Sequence, residues 1–182
     1  MDSEEAGEIY TEAFAGLALF YRDTNLTDNL ISKYKVGQII MEKAFTDMSN
    51  KGGGLYSNFR YLIASANGKD VSSISENALK WGLIILDKDA YFKVLDIYTI
   101  GRKTQLLLLN IPERGIHLFS STVSNIEKTI IEKARQSFVD KINLPVVKEL
   151  ASNVWQARTE FPLGMSDNGE MFYDGRNTIT KG

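Results

Sequence analysis

Cysteine is absent from the chain. That excludes disulfides, thiolate nucleophiles and zinc sites built on sulfur, and it leaves the compartment open. There is one histidine, His117, so no metal site or acid–base pair that needs two imidazoles can form within one chain. No long run of Lys or Arg occurs and the formal net charge is −2. Nucleic-acid binding needs clustered cations that displace counterions, so nucleic acid is not an expected partner. Uninterrupted apolar runs last only a few residues, whereas a membrane-spanning helix needs roughly 20, so no membrane partner is expected. The N-terminus, Met-Asp-Ser-Glu-Glu, is acidic where a secretory leader is basic and then apolar. The expected location is the cytoplasm, although a processed exported chain would read the same way.

Catalytic motifs are missing too. There is no Gly-x-Ser-x-Gly elbow and no Gly-Lys-Ser/Thr phosphate loop. Glycines 52–54 follow a predicted helix and precede a predicted strand. A phosphate loop has the opposite order, so that a helix N-terminus faces the anion. The glycines are therefore read as a helix stop with a flexible connection. Asp167, Asn168, Glu170 and Asp174 are oxygen-rich, but their spacing does not match a helix–loop–helix calcium loop, and a solvated turn accounts for them. No metal site and no cofactor are expected.

What is present is a meander. Residues 81–119 alternate short runs of Leu, Ile, Val and aromatics with tight polar breaks, the pattern of consecutive antiparallel strands. Strands are predicted over 83–86, 90–100, 103–110 and 116–120. Gly101-Arg102 fits a two-residue hairpin loop with glycine first. That loop pairs Ile100 with Lys103, Tyr98 with Gln105 and Asp96 with Leu107. In this register Phe92, Val94, Asp96, Tyr98, Leu107 and Leu109 share one face. Lys93, Asn110 and His117 form a polar row on the other. Both faces are apolar enough to need cover.

Helical spacing of apolar residues predicts a helix over 3–21, capped by Ser3, and a second over 28–48, together an αα-hairpin. Gly37 costs that second helix about 1 kcal/mol relative to Ala. A further strand is expected within 55–65. Ser124-Asn-Ile-Glu127 is a capping box that opens a helix, and Pro145 starts another.

The expected fold class is α+β: a mainly antiparallel sheet of about five strands, with the meander at 81–120, flanked by N-terminal and C-terminal helix pairs. Hydrophobic residues make up 43% and charged residues 24% of the 182 residues, which suits one globular domain. That domain is expected over 1–161. A loop-rich tail, 162–182, is expected to pack on the domain or on a partner subunit through Met171, Phe172 and Tyr173 and to fray at its end.

The absence of catalytic motifs favours a soluble, non-enzymatic binding or assembly protein, with a homodimer and a small-molecule ligand as the expected partners. The alternative is a small-substrate enzyme. An ionised carboxylate in apolar surroundings is costly unless paired, so Asp96 is a candidate acid or base. His117 with Lys93 is the other candidate, and Asn110 beside them is the candidate binding residue. The simpler structural reading of Asp96 is a bulge near Leu95 that turns it to solvent, or pairing with a nearby Lys or Arg.

Overall fold

A computed structural model describes residues 1–175. The chain is α+β: one eight-stranded mixed sheet, antiparallel in every pairing but one, and six helices among the described residues. Helix α1 (Ser3–Phe14) is capped one residue earlier than predicted, by Asp2 in place of Ser3: the Asp2 carboxylate accepts the Glu5 N–H at 2.8 Å. It ends before Gly16, whose φ is +78°. The chain then enters strand β1 (Ala18–Thr24) rather than continuing the predicted helix.

The second predicted helix is also corrected. Only α2 (Asp28–Ile31) is helical; β2 (Ile39–Glu42) and β3 (Thr46–Ser49) follow. Gly37 decides this. Its φ of +86° cannot continue a helix, and its N–H donates instead to the Val94 carbonyl at 2.8 Å. The apolar residues that read as one helical stripe are spread over three elements and the loops between them, so no αα-hairpin forms.

Next come β4 (Phe59–Ser65), β5 (Lys69–Asp70), α3 (Glu76–Trp81), β6 (Leu83–Leu86), β7 (Ala90–Ile100) and β8 (Lys103–Ile111). The sheet order is β2-β7-β8-β4-β1-β3-β6-β5, with β4 and β8 parallel. The hairpin register is the expected one from Ile100↔Lys103 through Asp96↔Leu107. A bulge at Leu95 then slips it by one, and Lys93 lies opposite Leu109 while Asn110 lies opposite Phe92. A one-residue slip turns every later side chain to the other face. Phe92 and Val94 therefore leave the face of Leu107 and Leu109.

The predicted last strand is helix α4 (Ile116–Ser121), entered from a 3-10 turn at Glu113–Gly115. Helix α5 (Asn125–Lys141) opens with the expected capping box at Ser124 and Glu127. The helix predicted from Pro145 is a 3-10 turn, Lys148–Ala151, followed by α6 (Asn153–Thr159), which Ser152 caps.

Helices from both ends of the chain cover one face of the sheet. Ile9 and Ala13 of α1, Phe119 of α4 and Ala134 of α5 pack with Leu62, Leu95, Leu107 and Leu109. The opposite face carries Phe59, Tyr61, Phe92, Val94, Leu106 and Leu108, and its cover is Leu26, Tyr34, Leu163 and Met165. That cover is a one-turn helix with its loops and an extended C-terminal segment, not a helix pair. The C-terminal aromatics lie against the same chain: Phe172 sits beneath Lys43 Nζ, 4.6 Å from the ring centroid, and Tyr173 meets Tyr91 edge-on at 5.4 Å. The expected fraying falls on residues 176–182, outside the described ones. No helix among the described residues is long and apolar enough to cross a membrane.

Glycines 52–54 do not form a flexible connection. A Cβ at Gly52 would meet the Tyr21 ring, and one at Gly54 would meet the Leu144 carbonyl. They are glycines because two segments pass in contact there.

Candidate functional site

Along β1, burial continues without a break from Phe20 to Thr24. Arg22 therefore sits inside the protein, 4% exposed, on the face shared with Phe20 and Tyr61. Its Nη1 donates to the Asp47 carbonyl and its Nη2 to the Phe161 carbonyl, both at 3.1 Å. Its Nε–H is buried with no partner. The nearby carboxylates are engaged elsewhere. Asp47 pairs with Arg158 at 3.0 Å. Glu42 accepts the Ala44 N–H at 2.9 Å and the Gly164 N–H at 2.8 Å, one on each oxygen. Burial pushes the Arg22 guanidinium below its usual pKa, and Tyr61, Asp47 and Glu42 oppose this through space. A cation stripped of water without a bonded counter-charge is an anion site by its electrostatics.

Two tyrosines complete the cluster. Tyr34 Oη donates to the Leu163 carbonyl at 2.7 Å. Its own proton being spent, it accepts from Tyr61 Oη, 2.6 Å away. Tyr61 Oη in turn accepts the Leu163 N–H at 3.1 Å. Burial pushes Tyr61 up to about 12 and Tyr34 well above its ordinary value. Both are neutral donors at physiological pH and cannot act as bases there.

A cavity of about 340 Å³ opens over Arg22, lined also by Glu42, Phe45, Arg158, Phe161 and Phe172. Phe45 and Phe161 are 54% and 50% exposed. Lys88 Nζ stands 5.3 Å from the Phe45 ring centroid. Cations and aromatic faces together suit a ligand that carries an anionic group and a planar ring. Among the described residues, no group of three or more metal-ligating side chains occurs.

The residues singled out in the sequence are not brought together. Asp96 is 6% exposed and held bidentate by Arg135 of α5 at 2.6 and 2.8 Å. The expected pairing with an arginine occurs; the bulge at Leu95 does too, but it does not turn Asp96 to solvent. Lys93 is buried against Glu127 at 2.7 Å and the Thr122 carbonyl at 2.6 Å. Asn110, across the sheet from Lys93 after the slip, bonds Ser65, Asn67 and the Tyr91 carbonyl. His117 is on α4, not on a strand, and lines a separate cavity of about 1100 Å³ with Glu113, Arg114 and Tyr173. The polar row of Lys93, Asn110 and His117 therefore does not exist. Arg22 escaped sequence reasoning because a charged residue after an apolar run reads as a break. The one available signal was the alternation of Leu19 and Tyr21 with Phe20 and Arg22.

No protein-family model matches the chain and no curated protein matches it. Solved structures do. Exoenzyme S from Pseudomonas aeruginosa, solved with bound carba-NAD, is 18% identical with a TM-score of 0.45, over 57% of this chain and 53% of that one. The ADP-ribosyltransferase HopU1 of Pseudomonas syringae is 20% identical with a TM-score of 0.47, over 52% and 46%. The ADP-ribosyltransferase Vis from Vibrio splendidus is 18% identical with a TM-score of 0.42, over 54% and 50%. The chain spans about half the length of the structures it matches. The expectation of a non-enzymatic binding or assembly protein is corrected to this extent: two of these three similar structures are named as ADP-ribosyltransferases.

Proposed function

We propose that this chain is a small-substrate enzyme whose substrate bears a phosphate group and an aromatic ring, as a nucleotide does, held at Arg22. What supports this is the Arg22 guanidinium: buried, without a carboxylate partner, its Nε–H unbonded, beneath a cavity rimmed by Phe45, Phe161 and Arg158. Arg presents a planar fork that matches phosphate oxygens, and a charge-assisted bond there is stronger in a water-poor site. Glu42 is the carboxylate available to act on a bound substrate, fixed by two backbone N–H groups. ADP-ribosyl transfer, named for the similar structures, is the first reaction to assay, with NAD as donor.

The test is calorimetric titration of wild type and Arg22→Lys with ADP and with NAD, followed by chromatography for NAD consumption. Lysine keeps the charge and loses the fork. Binding at least tenfold weaker in Arg22→Lys, at similar melting temperature, supports the site. Equal binding by both proteins contradicts it. NAD bound through Arg22 but never consumed leaves the site standing and removes the enzyme reading.

A further inference from the structure

Besides the Tyr34–Tyr61 bond, each side chain of the Arg22 site bonds the backbone of one segment, residues 161–172. Arg22 donates to the Phe161 carbonyl, Tyr34 to the Leu163 carbonyl, Tyr61 accepts from the Leu163 N–H, and Glu42 from the Gly164 N–H. The segment folds back on itself as a small loop. Met165 and Met171 form an isolated antiparallel bridge, and the Phe172 N–H returns to the Gly164 carbonyl at 3.0 Å. On one side of it lies the Arg22 cavity of about 340 Å³; on the other lies a cavity of about 550 Å³ lined by Thr24, Tyr56 and Glu160. Phe161, Pro162 and Asp167 form walls of both. The two cavities thus meet along these shared walls, beside the end of β1.

We infer that residues 161–172 are a self-occupying strap, which a phosphate-bearing ligand of the Arg22 site displaces on binding. This rests on the Arg22 reading above. The strap follows α6 directly, so the chain after Thr159 can swing without disturbing the sheet order. Its backbone carbonyls take the place of anionic oxygens on Arg22 and Tyr34, and its Gly164 N–H occupies one Glu42 carboxylate oxygen. Leu163 and Met165, each 2% exposed, hold it shut. A ligand whose competent state is a minor fraction binds with its affinity reduced by that fraction. Loosening the strap therefore tightens binding.

Gly164 is the place to loosen it. Its φ is +77°, and a Cβ there would press on Ile40. Gly164→Ala strains the closed strap and leaves every contacting side chain of the site intact. Gly169→Ala, at φ +82° near the loop tip, is the milder second variant should the first fail to fold. ADP is titrated into wild type and each variant, and amide exchange of the strap is followed in wild type with and without ADP. The expected result is about tenfold tighter ADP binding in Gly164→Ala, an intermediate gain in Gly169→Ala, and faster exchange at Leu163 and Gly164 when ADP is bound. Equal affinities, with strap amides unchanged or slowed by ADP, overturn the strap while leaving an Arg22-dependent site. No ADP binding to any of the proteins overturns the Arg22 reading and the strap with it.

Discussion

Removing Glu127 exposes how the structure handles a buried charge. Lys93 and Glu127 have side chains 5% and 1% exposed, with Nζ and Oε1 2.7 Å apart. The same glutamate accepts the Ser124 N–H through its other oxygen and donates its own N–H to the Ser124 hydroxyl oxygen. One side chain thus closes the α5 cap and neutralises a cation inside the protein. In Glu127→Ala, Lys93 keeps only the Thr122 carbonyl. Breaking one side of a buried pair costs about 3–5 kcal/mol, because the remaining charge is stranded. We expect a loss of about 4 kcal/mol, or roughly 8–16 °C in melting temperature for a chain of this size. Urea unfolding at pH 7 measures it, with an unchanged slope confirming that the unfolded state is the same. Lys93→Met combined with Glu127→Gln removes both charges and keeps an oxygen for Ser124. Removing both charges is far cheaper than stranding one, so the double variant should be more stable than Glu127→Ala. A loss below about 1 kcal/mol in Glu127→Ala, or a double variant as damaged as the sum of the single changes, would refute this reasoning.

Leu107 lies at the centre of the helix-covered face, 1% exposed, so Leu107→Ala should cost about 2–5 kcal/mol in the same urea assay; less than about 1 kcal/mol would contradict the packing. Alkali should destabilise the protein through its buried tyrosines. Tyr61 holds its proton to about 12 in the folded state against 10.0 ordinarily, so the unfolded chain binds fewer protons between these values. The stabilisation is full below pH 10 and is lost as pH rises through 12, by about 3 kcal/mol for this residue. Tyr34, also raised, adds in the same direction. Urea midpoints that stay level from pH 9 to 11.5 would contradict this, and Tyr61→Phe should flatten the decline.

How much was legible depended on whether a local pattern had one interpretation. The β7–β8 hairpin did: alternation on both sides of Gly101-Arg102 set Ile100↔Lys103 and its neighbours. The same alternation failed past Leu95, because a bulge leaves no mark in the apolar pattern yet sends Lys93 and Asn110 to different faces. Ile116–Phe119 is an apolar run too short to separate strand from helix by period, and it is helical. Residues 28–48 misled for another reason. Spacings of three and four arise when two short strands follow a one-turn helix, and only the positive φ of Gly37 separates the cases. The Ser124 capping box was legible because its chemistry is local. The Arg22 site was not, because it is assembled from β1, β2, β4 and residues 161–172, and a buried cation differs from a surface one only by what covers it.

A crystal structure of the wild-type protein with ADP tests the Arg22 site most directly. The account predicts a diphosphate oxygen about 3 Å from Arg22 Nε, the donor that has no partner in the protein alone, with the adenine ring against Phe45 or Phe161. ADP bound elsewhere, with Arg22 still bonded only to the Asp47 and Phe161 carbonyls, would contradict it.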